Sequence, residues 1–409
     1  MKAYERLINY TKYPTGSNPE CETCPSNPAQ WDFAKDLAKE METLGFINID
    51  LDENCYLMGE IPANNDNPDA PTLGLIAHMD VSYEAPYENI KPSVTLYKGG
   101  DLVLNEEKGL KLSPSDYPFL NDYIGNHILH TDGTTLLGAD NKAGIADILT
   151  AAEMLQNDPS IKHGKIKVCF TPDEEIGRGA DLFDVKKFAA DFAYTVDGGA
   201  FGQCESESFN AMGAKITFTG VGIHPGSAKD KMINAQRLAM EFDSMLPEAK
   251  KPEHTEGYEG FYHLTKISGE VEKAESNYIL RSFFNEEILQ MKAFMEEIAE
   301  FMNKKYGRKV VSTNINWQYR NMGEVIKKHP MITDIPEKIV REMGFEPDTS
   351  PIRGGTDGAR LSFEGLPCPN LGPGGFNFHS REEIAIVESM DLAVEALIKL
   401  MEEFGKMTK

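Results

Sequence analysis

Three strand-type apolar runs close on acidic or histidine residues, and this pattern constrains the fold more than any other feature of the chain. TLGLIAHMDV ends at His78-Met79-Asp80, and KIKVCF runs straight into Thr171-Pro172-Asp173-Glu174-Glu175. DFAYTV ends at Asp197-Gly198-Gly199. Between the first two lies TTLLGADNKAGIADILTAAEMLQ, a turn into a helix with Asp140 at its start and Ile145, Ile148, Leu149, Ala152 and Leu155 on its apolar face. Strands alternating with helices predict an α/β fold, a mainly parallel sheet flanked by helices. In such sheets ligands bind beyond the carboxyl ends of the strands, so these segments deliver their charged side chains to one rim.

Alone, a strand-terminal Asp reads as a turn residue or a helix cap. Collected, so many carboxylates would repel one another unless some were protonated or a cation lay among them. Divalent cations suit a mixed imidazole and carboxylate set.

The length, 409 residues, exceeds what one hydrophobic core usually serves. The pattern changes near residue 211. AKITFTGVG reads as a strand, MINAQRLAMEFDSML as a helix, and YHLTKISGEV and NYILRSFF as two strands. A long helix, EEILQMKAFMEEIAEFMNKKYG, and a strand, VVSTNINWQYR, follow. The order β-α-β-β-α-β is the split βαβ, or ferredoxin-like, signature. The α/β pattern resumes near 321, with helices expected at Thr333–Met343 and Val387–Phe404 and a short strand at FNFH. The reading is therefore a catalytic domain from 1–210 and 321–409, interrupted by an α+β lid over 211–320. The first helix is expected to start near Pro28, with Trp31, Ala34, Leu37, Met41 and Leu44 inward and Gly45 as its stop.

The net charge of -24 repels phosphate backbones and argues against nucleic acid as a partner. The N-terminus lacks the apolar core of a secretory signal, and no stretch approaches the roughly 18 apolar residues of a membrane span. A cytoplasmic protein is expected. Six cysteines are too scattered for a disulfide framework. Cys21 and Cys24 form one C-x-x-C in a Pro/Asn-rich loop, without the second pair of a zinc knuckle, and read as an incidental surface pair.

HMDV, GADNKAG, TPDEEIG, YTVDGG and FNFH resemble, in order, the five metal-site segments of the M20 family of dinuclear zinc metallopeptidases, and VGIHPGSAK resembles that family's lid segment. TEGYEGFYHL and PIRGGTDGARLSFEGLPCPNL look closest to its tripeptide aminopeptidases, and the resemblance covers essentially the whole chain. It implies that Asp140 bridges two zinc ions, that His78 and Asp197 complete one, and that Glu175 and His379 complete the other. Cobalt or manganese would also suit the donors. Asp80 matches the acid that orients His78, accepting from the ring nitrogen turned away from the metal. Asp173, Glu174 and Glu175 leave a register ambiguity of one residue. The family's pattern assigns Glu174 as general base. No Ser or Cys nucleophile is expected: there is no G-x-S-x-G, and Cys169 sits mid-strand.

The resemblance also implies that His224 helps hold the substrate's carbonyl oxygen. The other histidines match no metal segment and read as structural. For the terminal carboxylate of a peptide the candidates are Arg281, in SNYILRSF, and Arg353, in IRGGTDG. Either could instead pair with one of the 65 acidic residues. Asn277 and Asn234 are weaker substrate candidates. The implied activity is release of the N-terminal residue from tripeptides. The alternative is an M20-type amidohydrolase or dipeptidase acting on N-acylated amino acids or dipeptides. A homodimer is allowed but not required by the sequence.

Overall fold

A computed structural model describes all residues from 1 to 409. The chain divides into two compact units, one of residues 1–206, 324–350 and 356–409, the other of residues 207–323 and 351–355.

The first unit is built on a seven-stranded sheet. Its order is Ile47–Leu51, Leu57–Ile61, Ile166–Thr171, Leu73–His78, Phe192–Val196, Asn370–Leu371 and Cys204–Glu205. The four central strands, from Ile166–Thr171 to Asn370–Leu371, are parallel, and the flanking ones are antiparallel. Every residue of Leu73–His78 is buried, as expected of a parallel strand covered on both faces. The register pairs His78 with Thr171 and Ile76 with Thr195, so the segments after these strands emerge at one edge. A second sheet, in the order Gly375–Phe376, Ile384–Ile386, His127–His130 and Ser93–Leu96, is antiparallel throughout.

The helix Ala139–Asn157 is buried on nearly every side, including the predicted Ile145, Ile148, Leu149, Ala152 and Leu155. It packs on Ala3–Tyr10, on Val387–Lys406 and on the central strand Leu73–His78. The expected first helix spans Ala29–Thr43 and ends at Gly45 in the left-handed region. Phe33, not Trp31, fills its inward face. A shorter helix, Ala3–Tyr10, precedes it and was not anticipated. Its inward face includes Arg6, which disguises the apolar period; the guanidinium is buried against Glu40, Glu153 and Thr150. The expected strand at FNFH is shorter, Gly375–Phe376. His379 lies beyond it with a positive φ of 59°.

The second unit is a four-stranded antiparallel sheet in the order Phe261–Gly269, Lys273–Ser282, Asn210–Thr219 and Val311–Tyr319. Strict alternation of buried residues along Lys273–Ser282 marks a sheet with one covered face. The helices Ala235–Ser244 and Asn285–Lys305 supply the cover. Their Leu238, Phe242, Met291, Met295 and Met302 pack with Ile216, Phe218 and Leu280 of the strands. This is the ferredoxin-like lid fold read from the sequence. The stretch 351–355 joins it through a bridge between Ser208 and Ile352.

Candidate metal centre

Three local features bring the charged side chains together. His78 ends its strand and is 2% exposed. Asp140 begins its helix with non-helical dihedrals, after Gly138 in the left-handed region, and the Asp140–Asn141 peptide is cis. At Gly144 a Cβ would lie 1.9 Å from the carbonyl oxygen of Val196, so only glycine lets this helix press against the strand that leads into Asp197.

The result is a two-sided cluster around Asp140. On one side the Nε2 of His78 lies 2.9 Å from Asp140 Oδ1 and 3.7 Å from Asp197 Oδ1. On the other the Nε2 of His379 lies 2.8 Å from Glu175 Oε2 and 3.5 Å from Asp140 Oδ2. Each oxygen of Asp140 therefore faces a different imidazole–carboxylate pair. Glu175 Oε1 is buried without a hydrogen-bond partner. Ligand atoms of His78, Asp140 and Glu175 all fall within 4.8 Å of one another.

Asp80 is fully buried. The Nδ1 of His78 donates to its main-chain carbonyl at 3.0 Å, with the carboxylate Oδ1 at 3.3 Å. The carboxylate that the resemblance pairs with this ring thus lies beside the carbonyl that accepts from it. Its two oxygens also receive the backbone N–H groups of Glu174 and Glu175 at 3.0 and 3.1 Å. Asp80 thus orients both the imidazole and the turn of the acidic triplet. Glu174 and Glu175 lie in a 3-10 turn, so extended-strand alternation is not what separates them. Asp173 is turned away: its carboxylate accepts from the N–H and hydroxyl of Ser26 and from Gln30. Glu174 forms no comparable bond, and its carboxylate lies 4.0 Å from the Nε2 of His78.

The electrostatics call for cations. Burial pushes the Glu175 carboxyl up to about 8, the neighbouring Asp140 adding to the effect. Burial likewise raises Asp197 to about 6, against the pull of His78. Hydrogen bonds to Asp140 and Glu175 push the His379 ring up to about 11. A divalent ion placed between such a ring and carboxylate would take the place of the shared proton. With its Nδ1–H held by the Asp80 carbonyl, the His78 ring turns Nε2 towards Asp140, where an ion in place of the Nε2 proton would meet that nitrogen. Two imidazoles, three carboxylates and an orphaned carboxylate oxygen fit a pair of divalent ions.

Three further acids, Asp357 and Glu383 buried and Glu205 half-buried, lie near the cluster and were not singled out from sequence. Asp357 accepts from the Thr171 hydroxyl at 3.0 Å, and burial raises it to about 7. Burial raises Glu205 to about 8, with Asp197 contributing. Glu383, four residues after His379, is 2% exposed. Asp357 sits inside the glycine-rich motif that drew attention to Arg353, and Glu383 in a Glu pair that reads as surface.

The remaining candidates lie in the second unit. His224 is exposed, and its Nδ1 accepts from the N–H of Gly226. Arg353 donates to the carbonyls of Gly257, Glu259 and Thr255 and to the Thr255 hydroxyl, and stacks on Phe209. Arg281 donates through Nη1 to the Leu280 carbonyl and to Gln318, and lies over the Tyr319 ring. Asn277 is half-buried and accepts at its main-chain carbonyl from Thr265. Asn234 caps the helix Ala235–Ser244, accepting from Gln236 and Arg237, which is a structural task. Cys21 and Cys24 are free thiols. No helix is long and apolar enough to cross a membrane.

Residues 206–310 match the peptidase dimerisation domain of the M20 class. The fold is shared with aminopeptidase PepT from Bacillus cereus, at 23% identity and a TM-score of 0.76 over 98% of this chain and 99% of that one. It is shared also with a dinuclear metal-binding M20 peptidase from Bacillus subtilis, at 15% identity and a TM-score of 0.64 over 99% of each. These place the chain among proteins of the M20 peptidase fold. The chain is 50% identical over 406 residues to peptidase T of Caldanaerobacter subterraneus subsp. tengcongensis, covering 99% of both. It is 50% identical over 401 residues to peptidase T of Geobacillus kaustophilus, covering 98% of this chain and 97% of the relative. The chain belongs to the peptidase T family.

Proposed function

We propose that the protein is a tripeptide aminopeptidase whose centre holds two zinc ions. The observation that carries the reading is Asp140, which offers one oxygen to the His78–Asp197 pair and the other to the Glu175–His379 pair. Two bound zinc ions would supply Lewis acidity, lowering the pKa of the attacking water and polarising the scissile carbonyl.

The chain's own groups do the rest. Glu174 is the general base: it accepts the water's proton and returns it to the leaving nitrogen. Its main chain is anchored by Asp80, so its carboxylate can stay free of other partners. The surplus of carboxylates at the centre favours a substrate with a free amino terminus. Of the two arginines, Arg281 is the stronger candidate for the terminal carboxylate, because Arg353 spends its donors on the loop 255–259. His224 is proposed to contact the scissile carbonyl oxygen. The family's dimerisation domain supports a homodimer, and cobalt or manganese would be accepted by the same donors. A cytoplasmic location accords with small peptides as substrates.

The test is cleavage of trialanine against an N-acetylamino acid, with metal content measured on the same sample. Release of free alanine by protein carrying two metal equivalents is expected. Hydrolysis of the N-acetylamino acid alone would refute the assignment.

A further inference from the structure

The helix Ala139–Asn157 has an unusual start. Its N-cap is Gly138, which has no side chain to satisfy the exposed N–H groups of the first turn. A carboxylate from far along the sequence takes that place. Glu383 Oε2 accepts from the N–H groups of Leu137 and Gly138, both at 2.7 Å, and Oε1 accepts from the N–H of Asp140 at 2.9 Å. A buried carboxylate with three amide donors at a helix N-terminus is among the stronger fixed contacts available to a side chain.

Glu383 also stands at the foot of the strand Ile384–Ile386, which pairs with Gly375–Phe376 just before His379. The turn between them is tied by Asn377 donating to the Glu382 carbonyl. One hairpin therefore carries His379 and, through Glu383, grips the backbone of Asp140. On the opposite side Asp80 holds Glu174 and Glu175 through their own backbone N–H groups.

We propose that Glu383 is the positioning residue for the bridging ligand: it fixes the Leu137–Asp140 backbone so that Asp140 presents one oxygen to each half of the centre. It touches neither substrate nor reacting atoms, and acts through Asp140. The inference rests on the two-metal reading given above.

The test titrates metal-free protein with cobalt(II), recording affinity and the visible absorption of the bound ion. Wild type should take up two equivalents; failure to do so would sink the two-metal reading itself. In Glu383→Gln the amide nitrogen meets the N–H of Asp140, donor against donor. Glu383→Asp keeps the charge but cannot reach all three groups. Both variants should bind cobalt about 10–100-fold more weakly, as is usual when a group supporting a metal ligand is lost. The absorption should change with them. Val394→Ala, in the helix Val387–Lys406, is the control for general loss of stability and should leave the spectrum unchanged. Wild-type affinity and spectrum in folded Glu383 variants would overturn the proposal. So would rapid hydrogen exchange at Leu137, Gly138 and Asp140 in the wild-type protein, a measurement that requires no variant to fold.

Discussion

Replacing Glu174 by Gln tests whether this residue is the proposed general base and not a metal ligand. The Glu174 carboxylate lies 4.0 Å from the Nε2 of His78, whereas Asp140 lies 2.9 Å away and Glu175 lies 2.8 Å from the His379 ring. The orientation of Glu174 comes from its backbone N–H bound to Asp80, which the substitution leaves in place. Burial, opposed by His78 and reinforced by Asp357, Asp197 and Glu175, raises its carboxyl well above the usual carboxylate range. Glutamine keeps the shape and loses only the proton transfer. A positioned base contributes about 10²–10⁴-fold, or about 2.7–5.4 kcal/mol at about 1.36 kcal/mol per decade. Turnover of a tripeptide, followed by release of free amino acid, should fall by that factor. Metal content by mass spectrometry should stay at two per chain, and the thermal midpoint should hold. Activity within about threefold of wild type would refute the role, which is asked to supply at least about a hundredfold. Loss of one metal would mean that Glu174 is a ligand and that the roles within the acidic triplet are misassigned.

Chelation should abolish activity and a divalent metal restore it; full activity in demonstrably metal-free protein would contradict the centre. Amidating the C-terminus of a tripeptide should impair wild-type cleavage strongly and Arg281→Ala far less, since a buried charge left without its partner commonly costs about 2–5 kcal/mol. An undiminished amide penalty in that variant would move the role to another residue. Asp173→Asn should lower stability by about 1–3 kcal/mol, the usual cost of unpairing buried polar groups, because it disrupts the bonds to Ser26 and Gln30. Metal stoichiometry should be unaffected; a lost metal would place Asp173 in the centre. Burial holds the His130 ring below its ordinary value, only partly offset by its bond to the Thr131 carbonyl. Below about pH 6.5 the unfolded chain takes up this proton first, so the stability present above that pH declines as the pH falls towards the folded value. His130→Gln should flatten the dependence of the thermal midpoint on pH in that window, and an unchanged slope would show that other groups govern it.

By itself the sequence determined the α/β class, the β-α-β-β-α-β unit and the placing of His78, Asp80, Glu174, Glu175 and Asp197 where strands end. Those properties live in local periodicity: apolar runs of strand length, helical spacing, and acids or histidines where each run stops. It did not disclose the helix Ala3–Tyr10, because its buried face carries Arg6, whose partners Glu40 and Glu153 are distant in the chain. Nor could it resolve the triplet Asp173-Glu174-Glu175 by alternation, since the backbone there is a 3-10 turn and not a strand. Only the tertiary structure showed that Asp173 belongs to Ser26 and Gln30 and that Asp80 serves two amides. It alone showed Arg353 occupied by the loop 255–259 and Glu383 gripping a helix start 243 residues earlier. The physical reason is the same in each case. Local pattern reports which residues an element can present, whereas the partner of a buried charge is chosen by how distant segments pack, and no local period records that choice.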